Sequence, residues 1–515
     1  MAKFLPRVCV IGAGPSGLIT MKKLQDRGIS FDCYEKGAKV GGLWVYDEKS
    51  ETSACYKSLH INTSRKTMEF ACYPMPEDYP TYCHNKDIVA YFDSFADFYD
   101  LKSKIFFNQK ITQARRLDDG LWRIETESGE VRLYDSLVVA NGHHWDPRWP
   151  EPGFSGSFSG IEMHSHQYKD PVTPFDLKGK KVVVVGMGNS AMDIACELGA
   201  KGQADKVFLS VRRGTHILPK YFGSTPPDSL VRLPSKKPSI LEQLLPDGAL
   251  TKILYPLIHL RTKLAVGNPE DFGLPKPKHK FGETHPTISN EIHVRLGSGD
   301  VLPKPNIKDL AGNQVRFEDG SCEEIDAIIY ATGYKISFPF FDTGFLDTSD
   351  NDVALYKRIM DPEYNNLFFI GLVQPLCSLM PIAEVQAEFV SKYLTGEYCL
   401  PTKDEMRSEI KHMHQTMKKR YVASKRHTIQ IECMDYTRDL YLEGKRGAIR
   451  SDTRVARPPL EKLSKILAGK LASYSEEEGK GGWVDEYRRK ERKDEGHKPS
   501  GDSGFGSTDF SEVRL

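Results

Sequence analysis

The sequence predicts an α/β protein of two nested units, and three observations carry that reading. Arg7-Val-Cys-Val-Ile-Gly12-Ala-Gly14-Pro-Ser-Gly17-Leu joins an apolar run to a glycine turn and a helix start, and Lys181-Val-Val-Val-Val-Gly186-Met-Gly188-Asn-Ser-Ala191-Met192 repeats the pattern. Both runs are continuously Val/Ile-rich rather than alternating, as suits strands covered on both faces of a parallel sheet. Two further apolar runs end in small-residue glycine turns, Leu137–Gly142 ahead of the second unit and Ala327–Tyr334 behind it.

Each glycine turn is followed by a helical stretch and another strand, Phe31–Glu35 in the first unit and Lys206–Val211 in the second, which makes βαβ twice. The expected layout is a discontinuous first domain with a second inserted: 1–168, then 169–324, then 325–450 with C-terminal helices. Thr215 to Val301 is Pro- and charge-rich and reads as an insertion within the second domain. Its apolar stretch Leu250–Leu264 is expected to pack on its own domain rather than on a membrane surface, with Pro256 kinking or interrupting any helix there. Leu367–Leu372 reads as a buried strand and Ala383–Tyr393 as a helix. The segment 473–515 is poor in aliphatic residues and rich in Glu, Lys, Arg, Gly and Ser, and reads as a mostly disordered tail.

With 71 Lys+Arg against 70 Asp+Glu in 515 residues, the net charge of +1 argues against a nucleic-acid binder. No apolar run is long enough to cross a bilayer. The start of the chain lacks the apolar core of a secretory signal, and the polar tail offers no transmembrane anchor. The ten cysteines form no C-x-x-C and read as free thiols of a reducing compartment, so the expected location is cytoplasmic. His143-His144, His164/His166 and His412/His414 lack companions at ligand spacing, so no metal is expected.

In a G-x-G-x-x-G turn the first glycine makes the bend. The second lets backbone approach a pyrophosphate, and the third lets the helix pack on the strand. Gly12, Gly14 and Gly17 fill these places, with Ala13, Pro15 and Ser16 between them, and the helix start offers N–H groups to phosphate. Glu35, ending the next strand, is placed to accept from ribose hydroxyls and disfavours a 2′-phosphate, which points to FAD or NAD. The second turn is Gly186, Gly188 and Ala191, with Asn189, Ser190 and Asp193 at the helix start. There Arg212 and Arg213 stand where the first unit has Glu35, and a guanidinium suits a 2′-phosphate, so NADPH is the expected occupant. The two units are therefore read as Rossmann-like dinucleotide-binding domains. A flavin reduced by NADPH needs an acceptor, and without a cysteine pair at the usual spacing that acceptor is read as oxygen.

Phe158-Ser-Gly160-Ile-Glu-Met-His164-Ser-His-Gln-Tyr168 resembles the F-x-G-x-x-x-H-x-x-x-(Y/F/W) signature of the flavin-containing monooxygenases and their relatives. Gly41-Gly42-Leu43-Trp44, Ile61-Asn62-Thr63-Ser64, Tyr73–Pro80, Ala331-Thr332-Gly333-Tyr334 and Phe369–Pro375 resemble further stretches of that family. The resemblance implies that Gly42, Leu43, Trp44, Asn62, Thr63, Thr332, Gly333 and Gln374 lie against FAD, and that Asn62 also reaches NADP and the oxygen site as the catalytic group. It further implies a C4a-hydroperoxyflavin that oxygenates the nitrogen or sulfur of a small amine or thioether. A Baeyer–Villiger oxygenase and a redox-sensing flavoprotein without turnover are the alternatives. A homodimer is compatible with the sequence.

Overall fold

The computed structural model describes residues 5–48, 53–230, 232–234, 236–349, 351–421, 428–453 and 461–477. In chain order the first unit runs β1 (Val8–Ile11), α1 (Pro15–Gln25), β2 (Phe31–Glu35), β3 (Ile105–Phe107) and β4 (Ser136–Val139). The second runs β5 (Ile161–His164), β6 (Lys181–Val185), α2 (Asn189–Leu198), β7 (Lys206–Ser210), α3 (Ala249–Val266), β8 (Val301–Lys304) and β9 (Ala327–Tyr330). The chain then returns through β10 (Leu367–Phe369), α4 (Leu379–Leu394) and α5 (Cys433–Thr453).

Each unit builds a five-stranded parallel sheet, ordered β3–β2–β1–β4–β10 in the first and β8–β7–β6–β9–β5 in the second. The continuous apolar runs explain the parallel arrangement. Every residue of β1, β4, β9 and β10 is buried, and α1 packs between its sheet and α4. The turns leave from the same ends of β1 and β6, and each is followed at once by a helix.

The pairing moves both expected boundaries. Ile161–His164 and Ala327–Tyr330 pair with each other and belong to the second sheet, so the divisions at 168/169 and 324/325 are corrected. The physical reason is that Leu137–Val139 and Ala327–Tyr330 are corresponding strands: each flanks the strand that feeds its own unit's glycine turn. Strand β10 is what carries the chain back into the first sheet.

Three local expectations also change. Helix α3 is continuous through Pro256. It buries Thr251 and Thr262, but Ile253, Leu257, Leu260 and Leu264 are exposed, Leu264 by 78%, so only one of its faces packs. Cys377 and Cys433 are disulfide-bonded across 56 residues, which corrects the reading of all ten cysteines as free thiols. Their spacing carries no motif, and the packing of α5 against α4 is what brings them together. Residues 473–477 end a helix, Glu461–Glu477, while the expected tail from 478 onward lies outside the described residues. No helix among the described residues is long and apolar enough to cross a membrane.

Candidate functional site

The two glycine turns open onto one cleft of about 1950 Å³. In the first turn Gly12 has φ +102°, and a Cβ there would sit 2.7 Å from the Ala140 carbonyl oxygen. That position requires glycine for both conformation and space. A Cβ on Gly17 would lie 1.8 Å from the Gly12 carbonyl oxygen, so this glycine serves helix–strand packing. Gly14 faces Gly42 backbone to backbone, with a Cβ on Gly42 reaching 3.1 Å from the Gly14 Cα. The turn is thus a bare cradle of backbone, which fits a pyrophosphate. Pro15 begins α1, where its missing N–H has no helical partner to lose.

Glu35 is buried and already organised. One carboxylate oxygen accepts the Ala13 N–H at 2.8 Å and the other the Gly37 N–H at 2.7 Å. Each oxygen keeps a lone pair for a ribose hydroxyl. Gly12, Gly14, Pro15, Ser16, Glu35, Gly42, Leu43, Trp44, Asn62, Thr63, Thr332, Gly333 and Gln374 all line the cleft. Ala13 and Gly17 do not: Ala13 is core and contributes its backbone through Glu35.

The second turn repeats the geometry. Gly186 has φ +136°, and a Cβ there would meet the Ala331 carbonyl oxygen at 2.5 Å. Gly188, Asn189 and Ser190 line the cleft, as do Arg212 and Arg213. Both arginines are exposed and form no ion pair with a described residue. The insertion fastens this turn. Thr287 Oγ1 donates to the Met187 carbonyl at 2.5 Å, and the Ile288 N–H donates to Asn189 Oδ1 at 2.8 Å. Ala191 is core, and Asp193 accepts from the Tyr56 hydroxyl rather than lining the cleft, so the structure does not bring either to the cofactor side.

None of the motif residues Phe158, Gly160, His164 and Tyr168 lines the cleft. A Cβ on Gly160 would lie 2.5 Å from the Asp326 carbonyl oxygen and 2.6 Å from the Phe158 ring, so the pair is a packing unit. His164 is fully buried behind the wall residues Trp149 and Tyr334, with ring centroids 5.8 and 5.5 Å away. Burial pushes its pKa down to about 4, so it is neutral at pH 7. Tyr168 donates to Glu197 Oε2 of α2 at 2.9 Å and meets Tyr56 edge-on. The motif thereby fixes α2 to the 53–57 segment, where the Lys57 N–H donates to the Lys169 carbonyl at 2.7 Å and Lys169 Nζ to the Ser53 carbonyl at 2.7 Å. Reading the sequence missed Tyr56, Lys169 and Glu197; Lys169 and Glu197 are signalled only by closeness to the motif and to the second turn, and Tyr56 by nothing local, since it meets Tyr168 and Asp193 only in three dimensions. It also missed that the disulfide Cys377–Cys433 borders the cleft. Among the described residues no cluster could hold a metal ion.

Two glycine turns on one cleft, with a buried carboxylate beside one and exposed arginines beside the other, fit a dinucleotide-dependent oxidoreductase. The comparisons with known proteins specify it. The family described as flavin-binding monooxygenase-like matches residues 5–447. Rat (Rattus norvegicus) flavin-containing monooxygenase 5 is 38% identical, covering 83% of this chain and 81% of that protein. Human (Homo sapiens) flavin-containing monooxygenase 2 is 35% identical, covering 85% and 82%. Among solved structures, S-allyl-L-cysteine S-oxygenase from Allium sativum shares the fold with a TM-score of 0.63 at 21% identity, covering 96% of this chain and all of that one. Cyclohexanone monooxygenase from Rhodococcus sp. Phi1, bound to NADP+, gives 0.63 at 19% identity, covering 87% and 98%. The chain belongs to the flavin-binding monooxygenase-like family. It is an NADPH-dependent flavin monooxygenase, and its cofactors are FAD and NADPH.

Proposed function

We propose that this enzyme transfers one oxygen atom to a soft nucleophile, the nitrogen or sulfur of a small amine or thioether. The carrying observation is that buried Glu35 and exposed Arg212 stand beside the two glycine turns of a single cleft. The Gly12–Gly17 turn and Glu35 would hold FAD, with Gly42–Trp44, Thr332–Gly333 and Gln374 on the same cleft wall. The Gly186–Ala191 turn would hold NADPH, with Arg212 available to its 2′-phosphate. When bound and reduced, the flavin supplies the activation of oxygen.

The protein's part is position and exclusion of water. Asn62 presents a carboxamide on the cleft wall, between buried Ile61 and Ser64, and is the group that hydrogen-bonds the reacting oxygen or the nicotinamide side. No acid–base pair is required, because the nucleophile attacks oxygen directly. Relatives carry names that fit this reading: dimethylaniline monooxygenase [N-oxide-forming] 2 of Macaca mulatta at 35% identity, and the S-oxygenase above in fold.

The test is product analysis with a tertiary amine, a thioether and a cyclic ketone under NADPH and air. An N-oxide and a sulfoxide are expected. A lactone as the main product assigns Baeyer–Villiger chemistry instead, and NADPH consumption that no substrate stimulates assigns a redox-sensing flavoprotein.

A further inference from the structure

The loop that carries Asn62 is held from two sides. Its own domain holds it through the Ile61 N–H, which donates to the Cys83 carbonyl at 3.0 Å, and the Arg65 N–H, which donates to the Thr81 carbonyl at 2.8 Å. The other two anchors come from the insertion, more than 150 residues away in sequence. Lys220 Nζ donates to the Ile61 carbonyl at 3.2 Å. Asp228 Oδ2 accepts the Ser64 N–H at 2.6 Å and the Thr67 hydroxyl at 2.5 Å. Asn62 and Thr63 are thus the two residues left between a cationic donor on one flank and an anionic acceptor on the other.

Both insertion residues are themselves fixed. The Lys220 N–H donates to Asn290 Oδ1 at 2.7 Å, the Lys220 carbonyl accepts from the Tyr82 hydroxyl, and its ammonium lies 4.9 Å from the Tyr82 ring centroid. Burial depresses the Lys220 pKa, the mark of an ammonium withdrawn from water to make this contact. Asp228 follows Pro227, in the single turn Pro227–Leu230. A hydrogen bond to a charged partner is stronger than a neutral one, so these are firm anchors rather than incidental contacts.

We infer that Lys220 and Asp228 are positioning residues that set the Asn62 carboxamide from the second domain. The insertion fastens the nucleotide turn through Thr287 and Ile288 and the Asn62 loop through Lys220 and Asp228, so one segment registers both sides of the cleft. The placement of Asn62 then depends on the seating of the NADPH domain. This rests on the role given to Asn62 under Proposed function.

The experiment is a double-mutant cycle on the full-length, FAD-loaded enzyme, reading the ratio of hydrogen peroxide released to sulfoxide formed at saturating thioether. Asp228→Leu and Lys220→Met each remove one anchor, and each is expected to raise that ratio by roughly tenfold, the scale of one lost charge-assisted hydrogen bond. Lys220→Arg, which keeps a donor, is expected to restore most of the coupling. In an Asn62→Ala background neither substitution should add to the ratio, because the group they position is gone; a general loosening of the fold would add in both backgrounds. Should Asp228→Leu fail to fold, Lys220→Met and Thr67→Val probe the same brace from its other end and from the Asp228 partner. The inference is overturned if Asn62→Ala uncouples the enzyme while Asp228→Leu and Lys220→Met do not, or if their effects persist in full without Asn62. If Asn62→Ala itself stays coupled, the role of Asn62 fails, and that result is separate from the first.

Discussion

Glu35 ends the second strand of its unit, whereas the residue in its register place in the other unit is buried Val211, and Arg212 stands one position further on, two residues beyond the end of β7. Glu35 is buried and held by two backbone N–H groups, while Arg212 is exposed and bonded to no described residue. The backbone turns beside them are nearly superposable in kind, with positive φ at Gly12 and Gly186 and a carbonyl oxygen blocking any Cβ at both. What differs is preorganisation. A carboxylate already fixed loses no side-chain freedom on binding, whereas an unheld arginine must be ordered by its ligand. The contrast matches a cofactor that stays bound and one that enters and leaves with each turnover.

The largest effects should come from breaking each turn separately. Gly12→Ala forces a methyl group against the Ala140 carbonyl and an L-residue into positive φ, and the purified protein is expected to be colourless for lack of FAD. Gly186→Ala carries the same strain but should leave the protein yellow, with NADPH reduction of the flavin lost. Absorbance spectra of the two variants check both outcomes, and a yellow Gly12→Ala protein would contradict the assignment of the first turn.

Next in size is the arginine. Arg212→Ala is expected to raise the KM for NADPH by roughly 10- to 100-fold, the worth of one charge-assisted contact, while the KM for NADH changes little. Steady-state kinetics with both nucleotides decide it, and an equal change for both means that Arg212 does not read the 2′-phosphate.

Smaller effects belong to the motif behind the wall. Because the native His164 pKa is held at about 4 by burial, the unfolded chain takes up the proton first as pH falls. Stability should therefore drop between pH 6.5 and 4, and His164→Gln should flatten that part of the Tm–pH curve. Tyr168→Phe removes one hydroxyl contact to Glu197 and should cost about 1 kcal/mol in denaturant unfolding, with FAD retained.

The sequence made the turns and the strands that feed them legible, because each rests on local chemistry: glycine where φ is positive, Val/Ile where both faces are covered. The domain boundaries were not legible in the same way. Ala327–Tyr330 is a short apolar run ahead of a glycine turn, as Leu137–Val139 is, and only its pairing with Val182–Val185 reveals its sheet. The motif His164 and Tyr168 stood out, but spacing alone could not show that they support Trp149 and α2 rather than touch a cofactor. The Cys377–Cys433 bond defeats cysteine arithmetic because its loop spans 56 residues. Oxygen as acceptor therefore rests on family membership and not on missing cysteine pairs. Lys220 and Asp228 lie in an insertion without periodicity, so their contacts with the Asn62 loop exist only in three dimensions.

If the two turns hold flavin and NADPH in one cleft, with the 2′-phosphate read on the second side, mixing the FAD-loaded enzyme with NADPH and, separately, NADH in the absence of air has a definite outcome. The yellow absorbance bleaches with NADPH and far more slowly with NADH at equal concentration, a preference that Arg212→Ala erases. A flavin that stays oxidised with NADPH, or that bleaches equally with both nucleotides in the native enzyme, contradicts that arrangement.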